Sequence, residues 1–308
     1  MDNKYKKIYN KVRKLIKKKG IPYYVKKMNK QKIKMKNNYE SEYDFIVDLN
    51  EYVKSYHHHT LIFYKNNYIP SKKQWIKWKK GDLTHLKYNK EPRKLPYMKL
   101  MIDNIGIIRF YKYEQPKTLK ERKQEMNKFV KYVRLKLEKW LKYKKLEGLI
   151  FDFRYHYGGS ISPIYYSLVD IFNNSTLYAW SNKKANKKDK VWVNVRNNEI
   201  IHDQQFLNDK LNINIPIAII IGNNTASAGE FGAIMFYGRK KTKFFGKRTS
   251  GDLSGNKTIK INKDIYIALT GSLVNSVDGT FHIKEYIKPD LETNSPLIEA
   301  KKWIIKNI

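Results

Sequence analysis

Residues 217–221, Ile-Ala-Ile-Ile-Ile, form a run of apolar, mostly β-branched side chains bounded by Pro216 and Gly222. Such a run suits a strand covered on both faces, which requires helices packed on either side of a sheet. Gly222-Asn223-Asn224 is then a turn signal, and Ala226 to Tyr237 is small and apolar enough for a buried helix. Ser227 therefore sits where a central strand turns sharply into a helix. That corner exposes a hydroxyl at the end of a sheet and aims first-turn N–H groups at one point, so a nucleophile and its oxyanion donors can share it. Ser227-Ala228-Gly229-Glu230 also fits a capping box, in which the serine merely caps the helix. The segment alone leaves both readings open.

The rest of the chain places this corner in an α/β frame. Lys99 to Tyr113 reads as two apolar strands turned at Asp103-Asn104, and Thr118-Leu119-Lys120-Glu121 is a capping box opening a helix to about Lys144. Gly148 to Arg154 is a buried strand, Gly158-Gly159 introduces a helix over Ser162 to Phe172, and Pro296–Ile305 is a closing helix. The alternation of strand, helix and glycine turn predicts a largely parallel sheet. Upstream, residues 1–38 carry Ile8, Val12, Leu15 and Ile16 at helical spacing, and Glu40 to Ser55 forms a second helix. That helix runs into His57-His58-His59-Thr60 and a strand, Leu61-Ile62-Phe63-Tyr64. Residues 65–95 look irregular, and a domain boundary falls near Leu95.

With 41% hydrophobic residues, the 308-residue chain has ample core and is not disordered. No apolar run approaches membrane-spanning length and no secretory signal opens the chain, so a cytoplasmic protein without membrane contact is expected. Cysteine is absent, which excludes disulfides, thiol catalysis and Cys-based zinc sites. Three adjacent histidines leave a backbone in different directions, no other His/Asp/Glu set has ligand spacing, and neither metal nor cofactor is expected. The net charge of +35 raises nucleic-acid binding. Yet Lys outnumbers Arg about six to one and is spread along the chain with Asn, Ile and Tyr, as AT-rich codons supply. A solvated basic surface, with no specific nucleic acid as partner, is the expectation.

Four motifs in order resemble one family. Gly148-Leu149-Ile150-Phe151-Asp152-Phe153-Arg154 followed by Gly158-Gly159 is similar to a strand ending Asp-Leu-Arg, then Asn and a glycine pair. Thr225-Ala226-Ser227-Ala228-Gly229-Glu230 looks like a nucleophile segment, Gly246-Lys247-Arg248-Thr249-Ser250-Gly251 like Gly-Glu-x-Thr-x-Gly, and Tyr286-Ile287-Lys288-Pro289-Asp290 like Gly-Ile-x-Pro-Asp. Together, over most of residues 40–295, they resemble the tail-specific, C-terminal-processing serine peptidases. Within these, the similarity is to the branch of the tricorn core and interphotoreceptor retinoid-binding protein.

The resemblance implies a crotonase/ClpP-like α/β spiral over residues 96–308, preceded by a small helical domain over 1–95. It implies a peptide or protein substrate, with Ser227 as nucleophile. In one branch the base is a lysine directly after the glycine of Thr-x-Gly; here Asp252 stands there, so a Ser-Lys dyad is absent. The tricorn-like branch takes its base from a segment just after an N-terminal helix. The best register puts His59 in that role, with His58 as the second candidate. Glu285 matches the branch's late glutamate and is expected either to orient the base or to be a surface carboxylate. Oxyanion donors would be the N–H groups of Ala228 and of Gly158 or Gly159, and Asp152 and Arg154 are expected to pair at a strand end. A catalytically inactive peptide- or ligand-binding module on the same fold is the alternative.

Overall fold

The computed structural model describes residues 2–31, 35–69, 71–73, 76, 95–114, 116, 118–168, 171, 176–181, 190–194, 213–275 and 286–308. Among these the elements in chain order are α1 (Asn3–Lys19), α2 (Pro22–Gln31), α3 (Glu42–Tyr56), β1 (Leu61–Tyr64), β2 (Asn67–Tyr68), β3 (Tyr97–Leu100) and β4 (Ile105–Tyr113). They continue with α4 (Leu119–Tyr143), β5 (Gly148–Gly159), α5 (Ser162–Leu168), β6 (Thr176–Ser181), β7 (Lys190–Asn194), β8 (Ile217–Ile221) and α6 (Ala228–Ile234). The last are β9 (Thr242–Gly246), β10 (Ser254–Lys260), β11 (Ile265–Asn275), β12 (Leu291–Glu292) and α7 (Pro296–Ile305). The chain divides into two compact units: Met1–Lys90 with Trp180–Lys190 and Ser254–Leu273, and Glu91–Ala179 with Val191–Leu253 and Val274–Ile308.

In the first unit, residues 1–38 contain two helices where the sequence pattern suggested one. Asp2 caps α1 by accepting from the Lys4 N–H, and Ile8, Val12 and Ile16, spaced by four, form its buried stripe. Gly20 ends α1, and Pro22 begins α2 at a first-turn position that needs no N–H donor. Ser41 caps α3, whose buried face holds Phe45, Ile46, Leu49, Tyr52, Val53 and Tyr56. His57 is its C-cap, so the three histidines lie immediately where the helix stops. β1 then pairs antiparallel with β11, Leu61 opposite Ala268, and β10 pairs antiparallel with β11, Ser254 opposite Leu273. Strand pairing thus brings residues about two hundred positions apart in sequence beside the histidine turn.

The second unit is built on a sheet ordered β12-β9-β8-β5-β4-β3. Pairings from β12 to β4 are parallel, and β3 closes the edge antiparallel. Every residue of β8 is buried, as a strand covered on both faces requires. On one face Ile105, Ile107, Ile150, Ala218, Ile220 and Phe245 pack against Ala300 and Ile304 of α7. On the other, the Phe110 and Phe153 rings stack at 5.1 Å and Phe151 meets Phe236 at 5.0 Å, with Phe129 of α4 against Phe110. Burying a phenylalanine contributes roughly 1.5–3 kcal/mol, so this aromatic layer is a main anchor of the sheet. The Thr118 box caps α4 as its sequence predicts. β5 runs straight through Gly158-Gly159, and α5 begins only at Ser162. Among the described residues no helix is long and apolar enough to cross a membrane.

Candidate active site

Three parallel strands, β5, β8 and β9, bring the motif-bearing ends of the sheet together. Thr225 turns the chain after β8: its hydroxyl accepts from the Gly222 N–H at 3.0 Å and donates to the Phe153 carbonyl at 3.0 Å. Its own carbonyl accepts from the Ser250 N–H at 2.9 Å. The neighbouring Thr249 donates its N–H to the Ile287 carbonyl, 3.0 Å, and its hydroxyl accepts from the Ile287 N–H at 2.8 Å. Phe153, Thr225, Thr249-Ser250 and Ile287 come one from each of the four sequence motifs. The motifs, widely separated in sequence, are stitched into one corner.

At that corner Ser227 has φ 49° and ψ −115°, a left-handed conformation that an L-residue adopts only when its surroundings impose it. A sharp strand-to-helix turn of this kind lifts a serine hydroxyl above the sheet. The side chain makes no capping hydrogen bond. Glu230 supplies the reciprocal half of the capping pattern, accepting from the Ser227 N–H at 2.9 Å. Ala228, the first residue of α6, is buried, and its N–H belongs to the first turn, which has no helical acceptor.

Two buried groups lie behind the turn: His156, which the sequence did not single out, and Glu230, visible there only as part of the capping box and nucleophile segment. Glu230 accepts at Oε2 from Ser227 and from the Asp252 N–H (2.8 Å), and at Oε1 from the Gly251 N–H (3.0 Å) and the Thr249 hydroxyl (2.5 Å). Burial pushes its carboxyl up to about 8, the Thr249, Gly251 and Ser227 donors oppose the rise, and the Asp252 charge adds to it. Asp252, in the position a lysine base would need, accepts instead from the Ser250 hydroxyl at 2.8 Å. His156 is completely buried, and burial lowers its pKa to about 4. Its carbonyl accepts from the Ala226 N–H at 3.1 Å and its Nδ1 from the Gly158 N–H at 3.4 Å, which leaves Nε2 as the protonated nitrogen. Among the described residues that Nε2 has no partner. A Cβ on Gly229 would collide with the His156 carbonyl, so α6 rests directly on this residue.

Gly158 and Gly159 have φ of 123° and 102°, beyond the reach of other residues. A Cβ on Gly158 would stand 3.6 Å from the Ser227 Cβ, whereas one on Gly159 would collide with the Tyr113 carbonyl. Ser227, Ala228 and Gly158 are therefore neighbours. Asp152 is fully buried and pairs with Arg154 (2.8 Å), as expected, and also with Arg109 (2.9 Å), whose guanidinium lies 4.8 Å from the Tyr155 ring.

The histidines belong to the first unit. His57 is buried against Tyr24, with Nδ1 3.2 Å from the Thr270 hydroxyl and 3.1 Å from the His59 N–H. His58 is exposed and stacks on the His57 ring at 4.6 Å. His59 is half-buried; its Nδ1 is 2.8 Å from the Ser254 Oγ, and its carbonyl accepts from the Asn256 side chain at 2.7 Å. Glu285 lies outside the described residues.

Several known proteins are similar to this chain. A nisin-resistance protein of Lactococcus lactis subsp. lactis is 30% identical over 175 residues, 56% of this chain and 54% of that protein. The chain thus matches only about half of that relative's length. A lipoprotein from Streptococcus agalactiae has the same fold, with a TM-score of 0.68 at 21% identity over 99% of this chain and 97% of that one. A structure described as a peptidase candidate from Parabacteroides merdae ATCC 43184 aligns with a TM-score of 0.58 at 13% identity, covering 98% and 94%. The model of peptidase family S41 matches residues 104–293, which contain all four motifs. The chain belongs to peptidase family S41.

Proposed function

We propose that the protein hydrolyses peptide bonds with Ser227 as nucleophile and His59 as general base. The observation that carries the reading is the conformation of Ser227: strained at φ 49°, held by its backbone, and not used to cap the helix it begins. A serine so placed makes no capping hydrogen bond with its hydroxyl, whereas an acyl-transfer site needs that hydroxyl presented. The sequence register assigns His59 as base, and the absence of lysine at position 252 favours histidine over a Ser-Lys dyad.

In this mechanism His59 Nε2 takes the Ser227 proton as Oγ bonds to the scissile carbonyl carbon. The oxyanion is met by the Ala228 N–H and by a glycine N–H from Gly159, or from Gly158 once its N–H leaves His156 Nδ1. Return of the proton to the departing amine breaks the C–N bond, and water, activated by the same imidazole, then releases the acyl group. No cofactor takes part. Glu285 remains the proposed carboxylate partner from the sequence. A peptide or protein is the substrate, and the nisin-resistance relative makes nisin the first peptide to assay.

The test is intact-mass spectrometry after incubation with a fluorophosphonate, comparing wild type with Ser227→Ala and His59→Ala. One adduct on the wild type, absent from Ser227→Ala and strongly slowed in His59→Ala, is expected. An adduct that persists in folded Ser227→Ala refutes the nucleophile. Labelling indifferent to His59→Ala refutes the base.

A further inference from the structure

Ser254 is 2% exposed, and its Oγ lies 2.8 Å from Nδ1 of His59. We infer that Ser254 is a positioning residue for the imidazole, fixing its tautomer and ring plane so that Nε2 is the basic nitrogen. The inference rests on the reading of His59 as base.

The contact is built by strand pairing. Ser254 begins β10 and sits opposite Leu273 of β11, while β11 carries β1, the strand that leaves the histidine turn, with Leu61 opposite Ala268. Between Gly255 and Asn256 the β10–β11 register shifts, the mark of a bulge, and a bulge re-aims side chains at a strand end. Beyond it Asn256 donates to the His59 carbonyl at 2.7 Å and accepts from the Thr270 hydroxyl at 2.7 Å. The backbone of His59 is thereby tied to β10 through Asn256 and its ring through Ser254. On the other side the His59 N–H donates to His57 Nδ1 at 3.1 Å, so backbone and ring are each fixed independently.

The chemistry follows from which nitrogen carries the proton. A general base must present a lone pair toward its target, so an imidazole attacking through Nε2 must hold its proton on Nδ1. A buried hydroxyl 2.8 Å away accepts that proton in a hydrogen bond, its own hydrogen turned elsewhere, and stabilises this tautomer. It also accepts from the imidazolium formed when Nε2 is protonated. A hydroxyl carries no charge, so it orients the ring without the large upward pull that a carboxylate exerts on the imidazole.

The experiment uses the full chain. The rate of fluorophosphonate labelling of Ser227 is measured against pH for wild type, Ser254→Ala, Ser254→Thr and His59→Ala, with circular dichroism confirming folding. In parallel, the His59 ring tautomer is read from long-range 15N–1H correlation spectra. Expected is an Nδ1–H tautomer in the wild type and a labelling rate lowered on the order of tenfold in Ser254→Ala, with a shifted pH midpoint. Ser254→Thr, which keeps the hydroxyl, restores rate, midpoint and tautomer. A merely structural serine would change thermal stability and leave midpoint and tautomer alone. A wild type with His59 protonated at Nε2 overturns the inference by itself, whether or not any variant folds. Labelling that requires His59 but ignores Ser254→Ala overturns it while leaving the base reading intact. Labelling indifferent to His59→Ala removes both.

Discussion

His156 makes acid stability a quantitative test of how the nucleophile turn is packed. Its pKa is lowered from 6.5 to about 4 by burial. Between those values the unfolded chain binds a proton that the folded protein does not, so stability is full above about pH 6.5 and is lost as pH falls toward 4. At 1.4 kcal/mol for each pKa unit the whole loss is about 3 kcal/mol, and about 2 kcal/mol of it has accrued by pH 5. For a unit of this size that corresponds to a fall in Tm of roughly 4–8 °C. Glu230 acts in the opposite sense: a carboxyl raised to about 8 contributes stability at low pH that is lost as pH rises from 4.5 through 8. A single melting curve would mix the two.

The comparison that separates them is wild type against His156→Asn, followed by thermal unfolding at several pH values between 7.5 and 5. Asn does not titrate and can still accept from the Gly158 N–H. The substitution carries a constant penalty for repacking, but the Glu230 contribution is common to both proteins and cancels in the difference. The stability gap between wild type and variant should therefore shrink by about 2 kcal/mol between pH 7.5 and pH 5. Parallel stability curves across that range would refute the argument, because they would mean that His156 meets solvent or a counter-charge when protonated.

Four further outcomes follow from the same corner. Ser227→Gly should abolish labelling yet raise stability by roughly 1 kcal/mol in urea titration, since glycine adopts a positive φ without strain. Glu230→Ala leaves four donors without their acceptor and should cost about 3 kcal/mol or more, with Glu230→Gln milder; equal stability of both with wild type would show that the carboxyl is dispensable. Gly229→Ala forces a methyl into the His156 carbonyl and should lower stability by about 1–3 kcal/mol or more, measured by chemical denaturation. Asp152→Asn strips the counter-charge from Arg109 and Arg154 and should cost on the order of 2 kcal/mol, less than for a fully buried pair because both guanidinium groups are partly exposed.

The α/β class was legible because its signals are local and strong. An unbroken β-branched run at 217–221 suits a strand covered on both faces, the Thr118 box opens α4, and Pro296–Ile305 forms α7 with the bounds that its sequence predicts. The corner at Ser227 could be found for the same reason. What stayed hidden depends on partners distant in sequence. Nothing near His156 announces complete burial, since Tyr155 and Tyr157 on either side are exposed and the three residues look alike in sequence. Glu230 carries a visible capping pattern, but its three acceptor contacts at 249–252 arise only when β8 and β9 lie side by side. Ser254 reaches His59 through the β10–β11–β1 pairing, a connection that no spacing rule contains.

The ambiguity at Ser227-Ala228-Gly229-Glu230 is resolved by separating the two halves of the motif. A capping box works reciprocally: the serine side chain serves the third helical N–H and the glutamate serves the serine N–H. Here the second half is a hydrogen bond of 2.9 Å, whereas the serine oxygen stands in the capping position without making a capping hydrogen bond. The conformation of Ser227 costs roughly 1–3 kcal/mol, and such strain persists only where the surroundings over-determine it. They do so through backbone contacts alone: Glu230 on the Ser227 N–H, the Phe231 N–H on the Ser227 carbonyl at 2.9 Å, and His156 on the preceding Ala226 N–H at 3.1 Å. At about 1 kcal/mol each, these bonds are of the size needed to offset the strain. Because the main chain carries the full structural task, the hydroxyl is left without one. Glu230 therefore holds the turn by hydrogen bonds while Ser227 Oγ makes none to the cap, and the pattern that competes with a nucleophile in the sequence is what presents it.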